Sequence, residues 1–161
     1  YKMTIRKFIE KTLEWLLVFL MSVLVIDVLW QVTSRYIMNS PSSFTDELAG
    51  FLLIWVGLLG AAYVAGKREH LAIDLLVQRS GPKRKFYLEM IISSVIIIFA
   101  ITVMIIGGTW LAYTRFFLSV KSAALGLPLG GVYIVLPVSG VLITYFDIDN
   151  MINMVKENRK N

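Results

Sequence analysis

Asp27, Gln31 and Arg35 recur every four residues in an otherwise apolar stretch, and Ser34 lies beside them. On an α-helix this spacing places the side chains on one face. A carboxylate in apolar surroundings is costly unless it is paired, neutralised or hydrated. The stripe could therefore bind a proton or a cation, or it could make polar contacts with a neighbouring helix. We favour the second interpretation and keep the first open.

A second acidic pair, Asp46 and Glu47, follows Ser43 and Thr45 at the start of another apolar stretch. Hydroxyl groups at such a position can cap the first amides of a helix, and the helix dipole favours carboxylates there. Capping alone would account for the pair. A transport role would need a second carboxylate cluster inside the membrane to continue a path, and the sequence offers none.

Other chemistries are excluded by the residues that the chain lacks. It has no cysteine and a single histidine, His70. A disulfide framework, a thiolate nucleophile, a cysteine zinc site and a bis-histidine haem site within one chain are thereby ruled out. We predict no catalytic residue, no cofactor and no metal ligand in this chain. For His70 we predict a role as a cap or as an interfacial hydrogen-bonding group.

The elements that must position these residues are membrane helices. Of the 161 residues, 57% are hydrophobic and 17% are charged, whereas a soluble domain is about half apolar and about a quarter charged. We predict an all-α integral membrane protein in which 1–161 form a single membrane domain with four long tilted helices. Since a span needs roughly 20 apolar residues, we place the spans at about 13–32, 48–65, 86–113 and 127–146.

Basic residues divide unequally between the two ends of these spans. All but three of the 16 Lys and Arg residues precede the first span, lie between the second and third, or follow the fourth. Because positively charged loops stay in the cytoplasm, we predict that both termini are cytoplasmic. The same rule accounts for the net charge of +5, so no nucleic acid partner is expected. An amphipathic segment at about 70–79 is predicted to be a short helix in the cytoplasmic interface.

Small residues and prolines mark positions of packing and bending. Gly57 and Ala61 repeat at a spacing of four on the second span, which lets another helix approach closely. Pro128 suits a first helical turn. Pro137 removes the amide that would bond the carbonyl of Tyr133, which predicts a kink. Since no charged or amide residue lies near it, we interpret the kink as structural.

In this order, these features resemble the small four-helix membrane subunit of tripartite ATP-independent periplasmic (TRAP) transporters. Three blocks of residues carry the resemblance and together span nearly the whole chain. They are Arg35-Tyr36 with Pro41, Asp46-Glu47-Leu48, Trp55 and Gly60-Ala61; the segment from His70 to Leu75; and Leu125-Gly126-Leu127-Pro128 with Tyr133 and Pro137. Phe44 is a departure, because the family often has tryptophan before its acidic pair.

The resemblance implies a protein of the bacterial inner membrane that shares its function with two partners. A periplasmic binding protein would deliver an organic acid, of the sialic acid or C4-dicarboxylate class, to a large membrane subunit. That subunit would bind substrate and sodium and move as an elevator. The present chain would be its non-catalytic scaffold, surrounded by phospholipids, and the sodium would belong to the large subunit.

Ten residues are predicted to contact these partners, and four are predicted to be structural. The contact residues are Asp27, Gln31, Arg35, Asp46, Glu47, Trp55, Gly57, Ala61, Arg115 and Lys121. The structural residues are His70, Gly126, Pro128 and Pro137. The outward ends, around 35–47 and 115–126, are expected to dock the periplasmic protein.

Two other classes of function are weighed against this one. The chain could be a self-contained small channel or transporter that oligomerises around Asp27. A membrane enzyme or redox anchor would instead need a nucleophile, a metal set or a haem set, and the composition does not supply one.

Overall fold

The computed structural model describes residues 2–38, 42–67 and 82–158. Its helices are α1 (Lys2–Tyr36), α2 (Ser43–Lys67), α3 (Pro82–Phe99), a π-helical segment (Ala100–Gly107), α4 (Gly108–Phe117), α5 (Leu129–Tyr133) and α6 (Val135–Asn158). They form four units that are long and apolar enough to cross a membrane. The first is α1, the second is α2, the third runs through α3, the π-helical segment and α4, and the fourth comprises α5 and α6. The described residues contain no β-strand beyond one isolated bridge. The predicted all-α membrane fold with four long helices is confirmed.

The helices extend past the predicted spans at most of their ends. Hydropathy detects only the part of a helix that crosses hydrocarbon, whereas the helix itself continues into the polar interface. The predicted interfacial helix at 70–79, with His70, lies outside the described residues. The single-domain assignment and the cytoplasmic placement of the termini stay predictions.

Helix α1 contacts the rest of the protein along one narrow seam. Nine of its buried or half-buried residues recur at alternating spacings of four and three, which is the pattern of a coiled-coil seam. They are Arg6, Glu10, Leu13, Leu17, Leu20, Leu24, Asp27, Gln31 and Ser34. The seam is leucine in the middle and polar at both ends. The opposite face of α1, with Phe8, Trp15 and Phe19, is exposed and offers a broad apolar surface to lipid or to another protein.

Helix α6 lies at the centre of the bundle, in contact with α2, α3 and the π-helical segment. Two apolar clusters hold it there. One joins α2, the π-helical segment and α6 through Ala62, Ala65, Ala100, Met104 and Ile143. The other joins α1, α2 and α6 through Leu13, Leu59, Val135 and Phe146. Helix α1 and the third unit therefore flank a central pair formed by α2 and α6.

Two departures from α-helical geometry face each other across the bundle. The fourth unit breaks at Ile134, one turn before Pro137, where the sequence predicts a kink. On the facing unit, a Cβ atom at Gly108 would lie 2.8 Å from Cβ of Leu136 and 3.0 Å from Cδ of Pro137. Glycine at this position therefore lets the two backbones approach closely beside the kink. The sequence did not predict the π-helical segment, because its uniformly apolar residues show no change of period.

We expect Gly108→Ala to destabilise the protein. The added methyl group would press on a proline ring that is fixed to the backbone, and such overpacking costs about 1–3 kcal/mol. Thermal unfolding of the purified full chain in detergent would measure the loss. Gly57→Ala is the matched control, since nothing lies within 4 Å of a Cβ atom there. Equal melting temperatures for Gly108→Ala and the unmodified protein would contradict the close approach.

Candidate functional site

Glu47 connects the start of α2 to the loop between α4 and α5. Its Oε1 accepts a hydrogen bond from the amide of Ala123 at 3.1 Å. Its Oε2 accepts bonds from the amides of Ala124 and Leu125, both at 2.8 Å. Three successive amides directed at one carboxylate form an anion-binding concavity. The interpretation that helix capping alone accounts for the acidic pair is therefore wrong for Glu47, which anchors a distant loop.

The loop itself, residues 118–128, is closed by short-range hydrogen bonds around Ser122. The amide of Ser122 donates to the carbonyl of Leu127 at 2.8 Å, and the amide of Leu127 donates to the Ser122 hydroxyl at 3.2 Å. Gly126 has a φ of +66°, a left-handed conformation that favours glycine. Pro128 lies one residue before α5 in extended conformation, so its predicted place in the first helical turn is wrong by one position.

The polar stripe of α1 divides between the seam and the surface. Gln31 donates its amide to Oδ1 of Asp46, and the Ser34 hydroxyl donates to the carbonyl of Gln31 at 3.0 Å. Asp27 is only 6% exposed, and its Oδ2 has no hydrogen-bond partner among the residues that the structure describes. Arg35 is exposed. Asp27, Gln31 and Ser34 thus lie in the seam, whereas Arg35 lies on the exposed surface.

The remaining predicted contact residues lie in different surroundings. Trp55 donates its indole N–H to the carbonyl of Val132 at 3.1 Å, which ties α2 to α5 beside the kink. Gly57 and Ala61 are exposed, and a Cβ atom at Gly57 would meet no described residue within 4 Å. Arg115 is half-buried near the end of α4, and Lys121 is exposed on the loop. We call the part of the bundle that holds Glu47 and this loop the loop end.

Sequence reasoning missed a second polar site at the opposite end of the bundle, where the beginning of α1 meets the second half of α6. Arg6 donates through Nε to Glu10 at 2.8 Å and through Nη1 to Asp149 at 2.5 Å. Its Nη2 donates to the carbonyl of Gly66 at 2.5 Å and to Oδ1 of Asn150 at 3.0 Å. One guanidinium therefore connects α1, the last turn of α2 and α6. We call this part of the bundle the terminal end.

Asn150 completes the Arg6 site. Its side-chain amide donates to the carbonyl of Ala65 at 3.0 Å, so a second free carbonyl at the end of α2 is satisfied. The Arg6 guanidinium also lies 5.9 Å from the ring centroid of Phe146. The Arg6 and Glu10 spacing is visible as a helical pair in the sequence. The partners on α6 are not, because they lie more than 140 residues away.

These two sites hold helices and a loop in place. Within 2–38, 42–67 and 82–158, no group of three or more His, Asp or Glu residues is arranged to hold a metal ion. The polar bonds run between helix ends, and apolar clusters fill the space between them. The described helices form a bundle whose two ends are joined by polar bonds and whose outer faces are exposed.

Comparison with known proteins assigns the chain to a family. The model for "Tripartite ATP-independent periplasmic transporters, DctQ component" matches residues 24–157. A Haemophilus influenzae protein, provisionally named a TRAP transporter small permease protein, is 30% identical over 92% of this chain and 90% of its own length. The Vibrio cholerae sialic acid TRAP transporter small permease protein SiaQ is 24% identical over 94% of this chain and 86% of its own length.

A third similarity covers only part of both proteins. Residues of this chain are 37% identical to a segment of the Haemophilus influenzae sialic acid TRAP transporter permease protein SiaT, over 50% of this chain and 13% of that protein. The family match and the four membrane-crossing units agree on a multi-pass protein of the inner membrane. The chain belongs to the DctQ family of TRAP transporter small permease proteins and is a transporter component, not an enzyme.

Proposed function

We propose that this chain is the scaffold of a large permease subunit that imports an organic acid together with sodium. The observation that carries the proposal is the contrast between a fixed interior and unpartnered outer faces. Polar bonds hold both ends of the bundle. The apolar outer face of α1 and the small residues Gly57 and Ala61 on α2 remain exposed. Such faces suit close packing against the helices of another membrane protein.

The similarity to SiaT supports a large permease as the partner. A segment like half of this chain occurs within a much longer protein that is named a permease. In SiaT, the segment similar to this chain and the rest of the permease belong to one polypeptide. The equivalent arrangement for the present protein would be two separate chains that associate in the membrane. The similarity to the sialic acid transporter proteins SiaQ and SiaT favours sialic acid over a C4-dicarboxylate as the transported compound.

The loop end is the surface that we assign to a periplasmic binding protein. Arg35 and Lys121 are exposed there, and Glu47 holds the loop that carries Lys121. This assignment requires the terminal end to face the cytoplasm, which the positive-inside rule favours. Charge reversal at Arg35 or Glu47 should then reduce uptake while the protein still inserts into the membrane.

The competing channel hypothesis fits the position of Asp27 poorly. An oligomeric pore lined by Asp27 would need that side chain on an outer face of the chain. Instead, Asp27 faces α2 within the seam and is only 6% exposed. The channel hypothesis still makes a distinct prediction, which is that Asp27→Asn abolishes flux through vesicles holding this chain alone.

A reconstitution experiment separates the two hypotheses. Liposomes holding this chain alone, the large permease alone or both would be given the periplasmic binding protein, an inward sodium gradient and labelled sialic acid or a labelled C4-dicarboxylate. We expect uptake only with both membrane proteins present and only with sodium outside. Uptake by the large permease alone at the full rate would contradict the scaffold role. Flux through this chain alone would favour the channel.

A further inference from the structure

We propose that the terminal end binds one anionic phospholipid, with its phosphate between α1 and α6 and an acyl chain along the groove between α3 and α6. Two neighbouring concavities carry this inference. The first has a volume of about 440 Å³ and is lined mainly by polar side chains of α1 and α6. The second, of about 550 Å³, is almost entirely apolar and lies between α3 and α6.

The charges of the first cavity favour an anion. Its lining includes three cations, Arg6, Lys7 and Lys156, and two acids, Glu10 and Asp149. Arg6 forms ion pairs with both acids. Lys7 and Lys156 form no ion pair with any residue that the structure describes, and they stand on opposite walls. Arg6, Glu10 and Asp149 together keep one net negative charge, which the two lysines outweigh, so the cavity has a net charge of +1. Two cations that have no ion pair among the described residues and face one concavity suit a phosphate group.

The depth of the cavity favours a phosphate that belongs to a lipid. Lys7 and Lys156 lie near the ends of two helices that are long enough to cross a membrane, outside the apolar stretches at about 13–32 and 127–146. Both cations are therefore expected in the polar interface, where the headgroups of a bilayer lie. Side chains of lysine at helix ends extend toward this layer and attract anionic headgroups.

The apolar groove continues from the polar cavity. Ile152 and Lys156 line both concavities, so the two share a border on α6. Ile97, Ile148 and Val155 line the groove on its way toward the middle of the membrane. A molecule with a phosphate at one end and a hydrocarbon chain at the other fits both spaces at once, and a free phosphate ion fits only the first.

Native mass spectrometry of the purified full chain, titrated with phosphatidylglycerol or phosphatidylcholine, tests this site. We expect the first phosphatidylglycerol to bind about tenfold or more tightly than phosphatidylcholine, since each lysine near a headgroup adds a favourable charge interaction. The double variant Lys7→Gln/Lys156→Gln should lose this preference, and Lys7→Arg/Lys156→Arg should keep it.

The control variant is Lys11→Gln/Lys67→Gln, which removes two charges from the same end but outside both cavities. It should keep the preference. An equal loss in both Gln variants would overturn the site in favour of general surface charge, as would an unchanged preference in Lys7→Gln/Lys156→Gln. Displacement of the lipid by equimolar inorganic phosphate would overturn the lipid assignment. Circular dichroism would establish that every variant remains folded.

Discussion

Glu47→Ala is expected to release the loop between α4 and α5 and to lower substrate uptake by the assembled transporter about tenfold, which corresponds to a loss of about 1.4 kcal/mol in docking free energy. The three amides of Ala123, Ala124 and Leu125 lose their common acceptor. The effect would reach the surface that we propose for periplasmic docking, because the loop carries Lys121. Hydrogen exchange of the peptide that spans 122–126 would report the release directly, as faster exchange of these amides.

Two further variants test whether the carboxylate acts by holding the loop. Glu47→Gln retains one acceptor oxygen, so exchange and uptake should fall between those of Glu47→Ala and the unmodified protein. Glu14→Ala removes an exposed acid from α1 and should change neither. If Glu47→Ala lowered uptake without faster exchange in the loop, Glu47 would act by direct contact with a partner.

Arg6→Ala is expected to lower the free energy of unfolding by about 2–4 kcal/mol, because it leaves the acid of a partly buried ion pair without its cation. Asp149 loses its ion pair, and the carbonyl of Gly66 loses a donor at the end of α2. Arg6→Lys should fall in between, because an ammonium group keeps the charge but cannot reach the same set of acceptors. Thermal unfolding of the full chain in detergent would rank the three proteins.

A double variant identifies the cause of that loss. If the uncompensated Asp149 carboxylate is responsible, then Arg6→Ala/Asp149→Ala should be less destabilised than the sum of its single variants. Lys11→Ala, on the exposed face of α1, is the control and should be near neutral. A melting temperature of Arg6→Ala equal to that of Lys11→Ala would show that the network adds no stability.

Apolar run lengths sufficed to predict the four helices, because lipid allows few other structures for a chain of this composition. The position of the kink followed from Pro137, whose missing amide acts locally. The stripe of Asp27 and Gln31 indicated a face that must avoid lipid, and that face packs on α2. In each of these cases, the physical cause lies within a few residues of its effect.

The features that could not be predicted depend on distant partners. Glu47 looks like a helix-capping residue until residues 123–125 are placed against it, and one sequence does not reveal that contact. Arg6 looks like a topology signal, although it also connects three helices. Gly57 and Gly108 both lie within apolar stretches of the sequence, which does not distinguish them. Of the two, only Gly108 lies close to the backbone of another helix. Which small residues face inward is decided by the arrangement of the helices.

The seam along α1 also determines its vertical register. Leucines at repeating positions fit their grooves equally well after a slide of one heptad, which is about 10 Å along a helix. The polar groups at the two ends do not permit such a slide. Arg6 would leave the carbonyl of Gly66, and Gln31 would leave Asp46. The leucines thus hold α1 against α2, and the two polar ends fix the position of α1 along the bundle axis. The broad apolar outer face of α1 therefore stays at the depth of the hydrocarbon layer.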